Sequence, residues 1–177
     1  MRRLLALGAV GAATLVPAAT AAASGNRDFA VGAGTNQFFL GTVGDAHFAF
    51  SAHSDPIGLS PQGHVVAKGD PDGVGPLPPF TAQGEVTCLR VVGNRASFKW
   101  RFERATGTAE PFAGGGVQSF VEDNGPPRDG QPVDRAALDP PQPAGLFQLD
   151  ERVCDDPARA NYDENETGNV VVRDASG

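Results

Sequence analysis

The sequence predicts an all-β protein, an antiparallel β-sandwich or barrel that forms a single domain with long proline-rich loops. Apolar and polar residues alternate with a period of two along most of the chain, which is typical of half-buried strands. Among its 177 residues, 23 glycines and 15 prolines, with many Asn and Asp, separate the alternating runs. Long segments with helical periodicity and without Gly or Pro are missing. The predicted strands are residues 28–33, 37–43, 46–52, 64–68, 81–92, 95–104, 116–122, 146–153 and 169–174.

The strongest local signal is Gly93-Asn94, which lies between two alternating runs and predicts a hairpin with a two-residue turn. This turn pairs Leu89 with Phe98 and Thr87 with Trp100. The predicted core-facing residues are Phe98, Trp100 and Phe102, with Phe48, Phe50 and Ala52 of an earlier strand. The residues predicted to face water are Ser97, Lys99 and Arg101, with His47, Ser51 and His53. Cys88 falls on the outer face in this register, and a one-residue bulge would reverse that placement.

Two proline-rich stretches, residues 71–79 and 126–143, are predicted as loops that contribute no strands, because proline interrupts sheet hydrogen bonds. Short helical turns are expected at 134–138 or 155–160. Residues 150–166 carry seven carboxylates and two arginines, so we expect a solvated acidic segment.

Residues 1–23 are typical of an export signal peptide. Arg2 and Arg3 precede an apolar run from Leu4 to Leu15, and small residues lead to a cleavage site near Ala23. The apolar run is too short to span a bilayer, which needs about 20 residues. We therefore expect residues 24–177 to form a single secreted domain without a stable membrane anchor.

The charge balance excludes some partners. Cleavage would move the formal net charge from −7 to −9, because the removed segment contains two arginines and no acidic residue. Nucleic-acid binding requires clustered Lys and Arg, whereas Lys68 and Lys99 are the lysines of this chain. No nucleic-acid partner is expected.

Cys88 and Cys154 are the two cysteines, and in an exported protein they are expected to form a disulfide bond. Closing the loop between these two cysteines stabilises the folded protein by roughly 3 to 5 kcal/mol in the chain-entropy model. The alternative, a catalytic thiol, lacks a local signature, and the three histidines lie in the other half of the chain.

Several short motifs resemble those of an uncharacterised family of small exported β-domains from high-GC Gram-positive bacteria. They are VTCL at 86–89, VGNRA at 92–96, VEDNG at 121–125, and GNVVV at 168–172 followed by Asp174-Ala175. The FAFSA strand at 48–52 and the later cysteine belong to the same pattern. The resemblance implies export and a β fold, and it carries no catalytic residue.

Calcium candidates are Glu122, Asp123 and Asn124, with Asp70 and Asp72 and the acidic segment near Tyr162 as further oxygen donors. A complete calcium-binding loop motif is missing, and Asp-Asn-Gly forms turns for local reasons. We therefore assign no metal site and no cofactor, and Ca²⁺ remains the alternative. His47 and His53 are roughly 20 Å apart along one strand, so one ion cannot bridge them. His53 and His64 could meet, but without a third ligand for zinc.

The sequence assigns no catalytic or cofactor-binding residue, because the motifs of serine hydrolases, metalloproteases and phosphate-binding loops are missing. The first hypothesis is a secreted, non-enzymatic β-domain that acts as a binding or structural module, with an unknown extracellular or cell-wall partner. The alternative is a secreted hydrolase in which two carboxylates converge in a concave, aromatic-lined site. The candidate carboxylates are Glu85, Glu103, Glu122 and Asp123. A third hypothesis is a protease inhibitor that presents residues 126–143 as a rigid loop. It is disfavoured, because the disulfide bonds that would brace such a loop beside a reactive bond are not expected here.

Overall fold

The computed structural model describes residues 27–36, 45–55, 57–70, 79–126, 133–165 and 167–176. Nine strands within these ranges form one antiparallel sheet in the order β8-β7-β6-β5-β4-β3-β2-β1-β9. Their bounds are β1 Asp28–Asn36, β2 Asp45–Ser54, β3 Gln62–Asp70, β4 Phe80–Val92, β5 Arg95–Thr106, β6 Gly116–Glu122, β7 Arg135–Leu138, β8 Asp163–Glu164 and β9 Thr167–Arg173. The all-β prediction is confirmed, as one curled sheet instead of two stacked ones.

Helical structure is limited to short segments in the described residues. They are one α-helix, α1 (Ala144–Phe147), and 3₁₀ turns at Gly107–Phe112 and Pro157–Arg159. None of the described helices is long and apolar enough to cross a membrane.

The core lies on the concave face of the curled sheet. Phe50 stacks on Phe98 with ring centroids 4.8 Å apart, and Trp100 contacts Phe102 at 4.7 Å. The buried indole N–H of Trp100 donates to Ser119 Oγ at 3.0 Å. The predicted inward faces of both strands are therefore confirmed. The cavity that remains among these side chains is only about 30 Å³, which is room for about one water molecule.

The β4–β5 hairpin turns at Gly93 and Asn94, and of these two only Gly93 has positive φ, at +61°. A glycine with positive φ at the first position is typical of a two-residue hairpin turn. Leu89 pairs with Phe98 as predicted. The predicted pair of Thr87 with Trp100 is wrong, because a β-bulge shifts the register and Trp100 pairs with Val86.

The curl brings the outer edge of β9 against the connection between β6 and β7. There the N–H of Val170 donates to Asp134 Oδ2 at 2.6 Å, and the N–H of Val172 donates to Asp123 Oδ2 at 3.0 Å. The other oxygen of each carboxylate accepts a backbone N–H group of the turn after β6. Asp134 accepts from Asn124, and Asp123 accepts from Gly125. These two carboxylates therefore join β9 to the connection between β6 and β7, which no described strand pairing joins. We call this contact the seam.

Three local predictions are wrong. Residues 135–138 form strand β7 instead of a helical turn, so the second proline-rich stretch does contribute a strand. Residues 146–153 form the end of α1 and turns instead of a strand. β7 exists because Ala136 pairs with Val121 and buries its side chain in the core. The predicted signal peptide at residues 1–23, the predicted strand at 37–43 and residues 71–78 lie outside the described residues.

We predict that Asp134→Asn destabilises the fold by about 1 to 3 kcal/mol. Both carboxylate oxygens accept backbone N–H groups, and an amide offers one oxygen only, so one buried donor loses its acceptor. Urea unfolding measures the change. Asp163→Asn is the matched control, since Asp163 is exposed and its side chain forms no hydrogen bond or ion pair in the described structure. Equal stability of the two variants would contradict the seam's importance.

Candidate functional site

Residues 144–160, here called the strap, cross the outer face of the β4–β5 hairpin. The predicted disulfide between Cys88 and Cys154 ties the strap to β4. Thr87, the extra residue of the bulge, donates its hydroxyl to the carbonyl of Glu151 at 2.7 Å. Ser97 donates to the carbonyl of Asp155 at 2.6 Å. The strap is therefore anchored on both strands of the hairpin.

The strap corrects the prediction that the outer face of β5 is solvated. Ser97 is 0% exposed and Lys99 is 5% exposed, although alternation placed both toward water. Lys99 Nζ donates to the carbonyl of Asp150 at 3.0 Å and to its carboxylate at 2.6 Å. A buried ammonium group requires such partners, because desolvation of an unpaired charge is costly.

The acidic segment is largely exposed, as predicted, and several of its carboxylates also form ion pairs with the hairpin. Glu151 forms an ion pair with Arg101, and Asp156 forms one with Arg90 at 2.7 Å. The outer face of the hairpin supplies Arg90, Lys99 and Arg101, and the strap places the carboxylates of Asp156, Asp150 and Glu151 against them. Charge complementarity explains why this segment packs against the sheet.

A groove runs between the strap and residues 57–61, which connect β2 to β3. It consists of two neighbouring depressions of about 490 and 400 Å³, which share Gly58 and Arg152 in their walls. Its floor is the second half of β4. The larger depression is lined by Glu85, Glu103 and Glu151 with Arg101, and the smaller one by Ile57, Leu89, Val91 and Val153.

The groove carries charges and apolar side chains that remain available. Glu85 and Glu103 are exposed, and neither they nor Arg152 form an ion pair in the described part of the chain. At the other end, Ile57 is 78% exposed and Val153 is 64% exposed, on opposite walls. A ligand with apolar and charged groups would find complements to both.

Only two of the four carboxylates predicted for a hydrolase site lie close together. Glu85 and Glu103 line the same depression, whereas Glu122 pairs with Arg95 across the other end of the hairpin. The residues that line the groove include no aromatic side chain. A glycosidase acid is held in an apolar, water-excluding pocket, and the exposed Glu85 and Glu103 are not.

The three calcium candidates have protein partners. The buried carboxylate of Glu122 forms ion pairs with Arg95 at 2.7 Å and Arg135 at 3.8 Å. Asp123 accepts the backbone N–H groups of Gly125 and Val172, and Asn124 donates to the carbonyl of Val133 at 2.7 Å. Within the described residues, no group of three or more His, Cys, Asp or Glu side chains is arranged to hold a metal ion. Asp72 lies outside that part of the chain.

The histidines are separated on the outer face of β2 and β3. His47 contacts Thr35 Oγ1 at 3.1 Å. His53 pairs with Gln62, and His64 pairs with Ser51, so these two histidines are diagonal neighbours on adjacent strands. Sequence reasoning anticipated that they could meet, and among the residues that the structure describes no third metal ligand lies with them.

Tyr162 lies half-buried beyond the strap, where its hydroxyl donates to the carbonyl of Pro157 at 2.8 Å. Arg95 lies over its ring, 5.4 Å from the centroid. Burial raises the pKa of Tyr162 to about 12, against the smaller opposite effect of Arg95. Burial also raises the pKa of Asp28, at the edge of the groove, while a hydrogen bond from Ala175 N opposes the shift.

The chain matches no protein-family model, no curated protein and no solved structure. The resemblance to exported β-domains from high-GC Gram-positive bacteria therefore stays a prediction.

We expect Tyr162 to titrate near pH 12 in the folded protein and near pH 10 in the unfolded chain. Since it is the single tyrosine of the sequence, phenolate absorbance reports this residue alone. Its stabilising contribution is fully present below pH 10 and is lost as the pH rises toward 12, because the unfolded chain ionises first. Tyr162→Phe should remove this loss. Identical titrations with and without urea would contradict the burial.

We expect CaCl₂ and NaCl at matched ionic strength to change the melting temperature equally. Glu122, Asp123 and Asn124 are held by protein partners, so both salts act by screening the net negative charge. Thermal unfolding monitored by circular dichroism measures this. A larger rise with Ca²⁺ that saturates with concentration would instead reveal a specific site.

Proposed function

We propose that this chain is an exported, non-enzymatic binding module and that the groove between the strap and residues 57–61 is its binding surface. The supporting observation is the combination of two neighbouring depressions with exposed apolar and unpaired charged side chains. The core cavity of about 30 Å³ offers no comparable space. Ligand sites are concave and combine apolar walls with a few polar groups.

The Cys88–Cys154 disulfide supports both parts of the proposal. Disulfides persist in oxidising compartments, which agrees with the export signal expected at residues 1–23. The same bond holds one wall of the groove on β4, next to Val153. A wall held in place before binding lowers the entropic cost of association. The expected partner is an extracellular or cell-wall component, since the chain is acidic and lacks a basic nucleic-acid surface.

The second candidate is a secreted hydrolase, and one observation favours it. Glu85 and Glu103 line the same depression, as a carboxylate pair would. Their exposure and the lack of aromatic lining favour binding over catalysis. If the hydrolase proposal is right, purified protein cleaves cell-wall polysaccharide, and Glu85→Gln and Glu103→Gln each abolish the release of reducing ends.

We predict that the double variant Ile57→Ser, Val153→Ser captures its extracellular partner at least tenfold less than the unchanged protein. Both side chains are exposed on groove walls, so the change removes binding surface and leaves the core intact. Immobilised mature protein is incubated with culture supernatant and with cell-wall fractions, and bound material is quantified.

The matched control is Leu146→Ser, Leu149→Ser. These leucines are exposed apolar residues of the strap that do not line the groove, and they should leave capture unchanged. Equal capture by all three proteins would show that the groove is not the binding surface.

A further inference from the structure

Strand β4 extends beyond the strand it pairs with on one side. The β3–β4 ladder ends at His64 with Glu85, whereas β4 continues to Val92. On its other side β4 stays paired with β5 up to Val92 and Arg95. The second half of β4 is therefore a sheet edge free of any described strand, with residues 57–61 passing alongside it, and it forms the floor of the groove.

The hairpin determines which backbone groups this edge presents. A two-residue turn makes its flanking residues, Val92 and Arg95, a hydrogen-bonded pair. Hydrogen-bonded and non-hydrogen-bonded pairs alternate, so Val91 and Leu89 direct their N–H and C=O groups away from β5. Both residues line the groove, and among the described residues neither backbone has a hydrogen-bond partner on that side.

Two neighbouring segments make this edge a slot instead of an open surface. On one side Gly58, at φ +77°, lies against the edge itself: a Cβ there would be 3.1 Å from the carbonyl oxygen of Leu89, so a docked strand has to move this residue aside to reach that carbonyl group. On the other side Val153 and Cys154 of the strap form a wall. Exposed edges invite whole-sheet association, which flanking segments hinder. A slot of this kind admits one extended chain more readily than the edge of a second folded copy.

The slot also carries charge. Glu85 and Glu103 line the larger depression at its far end without an ion-pair partner in the described structure. From Glu85 to Val91 a strand spans about 20 Å, the length of a six- or seven-residue segment. Lysine or arginine complements the carboxylates, and apolar side chains complement Ile57 and Val153 at the other end.

We infer that the groove binds an extended polypeptide segment, which adds to the free edge of β4 as a further strand and places a basic side chain at Glu85 and Glu103. The inference rests on the proposed function and names the partner class. Main-chain hydrogen bonds to Leu89 and Val91 hold the segment, and the carboxylates select it, as in other cases of strand addition.

The test uses the mature protein and a blocked seven-residue peptide of alternating valine and lysine. At saturation we expect at least tenfold slower amide hydrogen exchange at Leu89 and Val91, with unchanged exchange in β9. A peptide with its edge-facing amides N-methylated keeps the side chains but lacks the donors, and it should bind at least tenfold more weakly. A peptide with glutamate in place of lysine should lose at least as much affinity.

Two protein variants test the same contacts from the other side. Val91→Pro removes an N–H that β5 does not use, a position where edge strands accept proline, and it should abolish peptide binding. Val91→Thr keeps the N–H and is its control. The double variant Glu85→Gln, Glu103→Gln should bind the lysine peptide and an otherwise identical peptide with glutamine in place of lysine equally. The N-methylated peptide is tested on the unchanged protein, so the answer does not depend on how the variants fold.

Equal binding of the methylated and unmethylated peptides would overturn strand addition. If no peptide binds while Ile57→Ser, Val153→Ser still loses its extracellular partner, the groove is the binding surface and the polypeptide class is wrong. If exchange at Leu89 and Val91 slows with protein concentration alone, a second copy occupies the edge, which also overturns the inference.

Discussion

The fold depends on how the backbone N–H groups at the β9 edge of the sheet obtain hydrogen-bond acceptors. β9 pairs with β1 on one side only, and its other backbone N–H groups need acceptors that no strand provides in the described structure. Asp134 and Asp123 supply them, and each carboxylate also accepts from the turn that follows β6. These bonds fasten the β9 edge of the sheet to the connection between β6 and β7 and hold the sheet in its curled form.

The seam positions the hairpin and the strap. With β9 held against the β6–β7 connection, Glu122 is enclosed between Arg95 and Arg135 at one end of the hairpin. The strap then leaves the far end of the sheet and returns across β5 and β4, where the disulfide holds it. Lys99 is covered as a result, and Asp150 compensates its charge. Burying an ion pair adds little net stability, but it specifies one way of docking the strap.

The groove follows from a mismatch in strand length. β4 pairs with β5 along its whole second half and with β3 only along its first half. The connection from β2 to β3 cannot fill the difference as a strand, and Gly58 allows it to pass alongside instead. The strap supplies the opposite wall. A depression bounded by two connections and floored by a strand edge is thus a consequence of topology, and its side chains make it a binding surface.

The sequence by itself determined the features that depend on neighbouring residues. Alternation identified the inward faces of β2 and β5, and the Gly93-Asn94 turn determined the pairing of Leu89 with Phe98, because both signals are local in the chain. The two cysteines implied their bond, since each had no other partner. Only the tertiary structure decided the bulge at Thr87, the burial of Lys99, the seam at Asp134 and the groove. Each of these depends on groups far apart in sequence that meet when the sheet curls, and no local pattern records such a meeting.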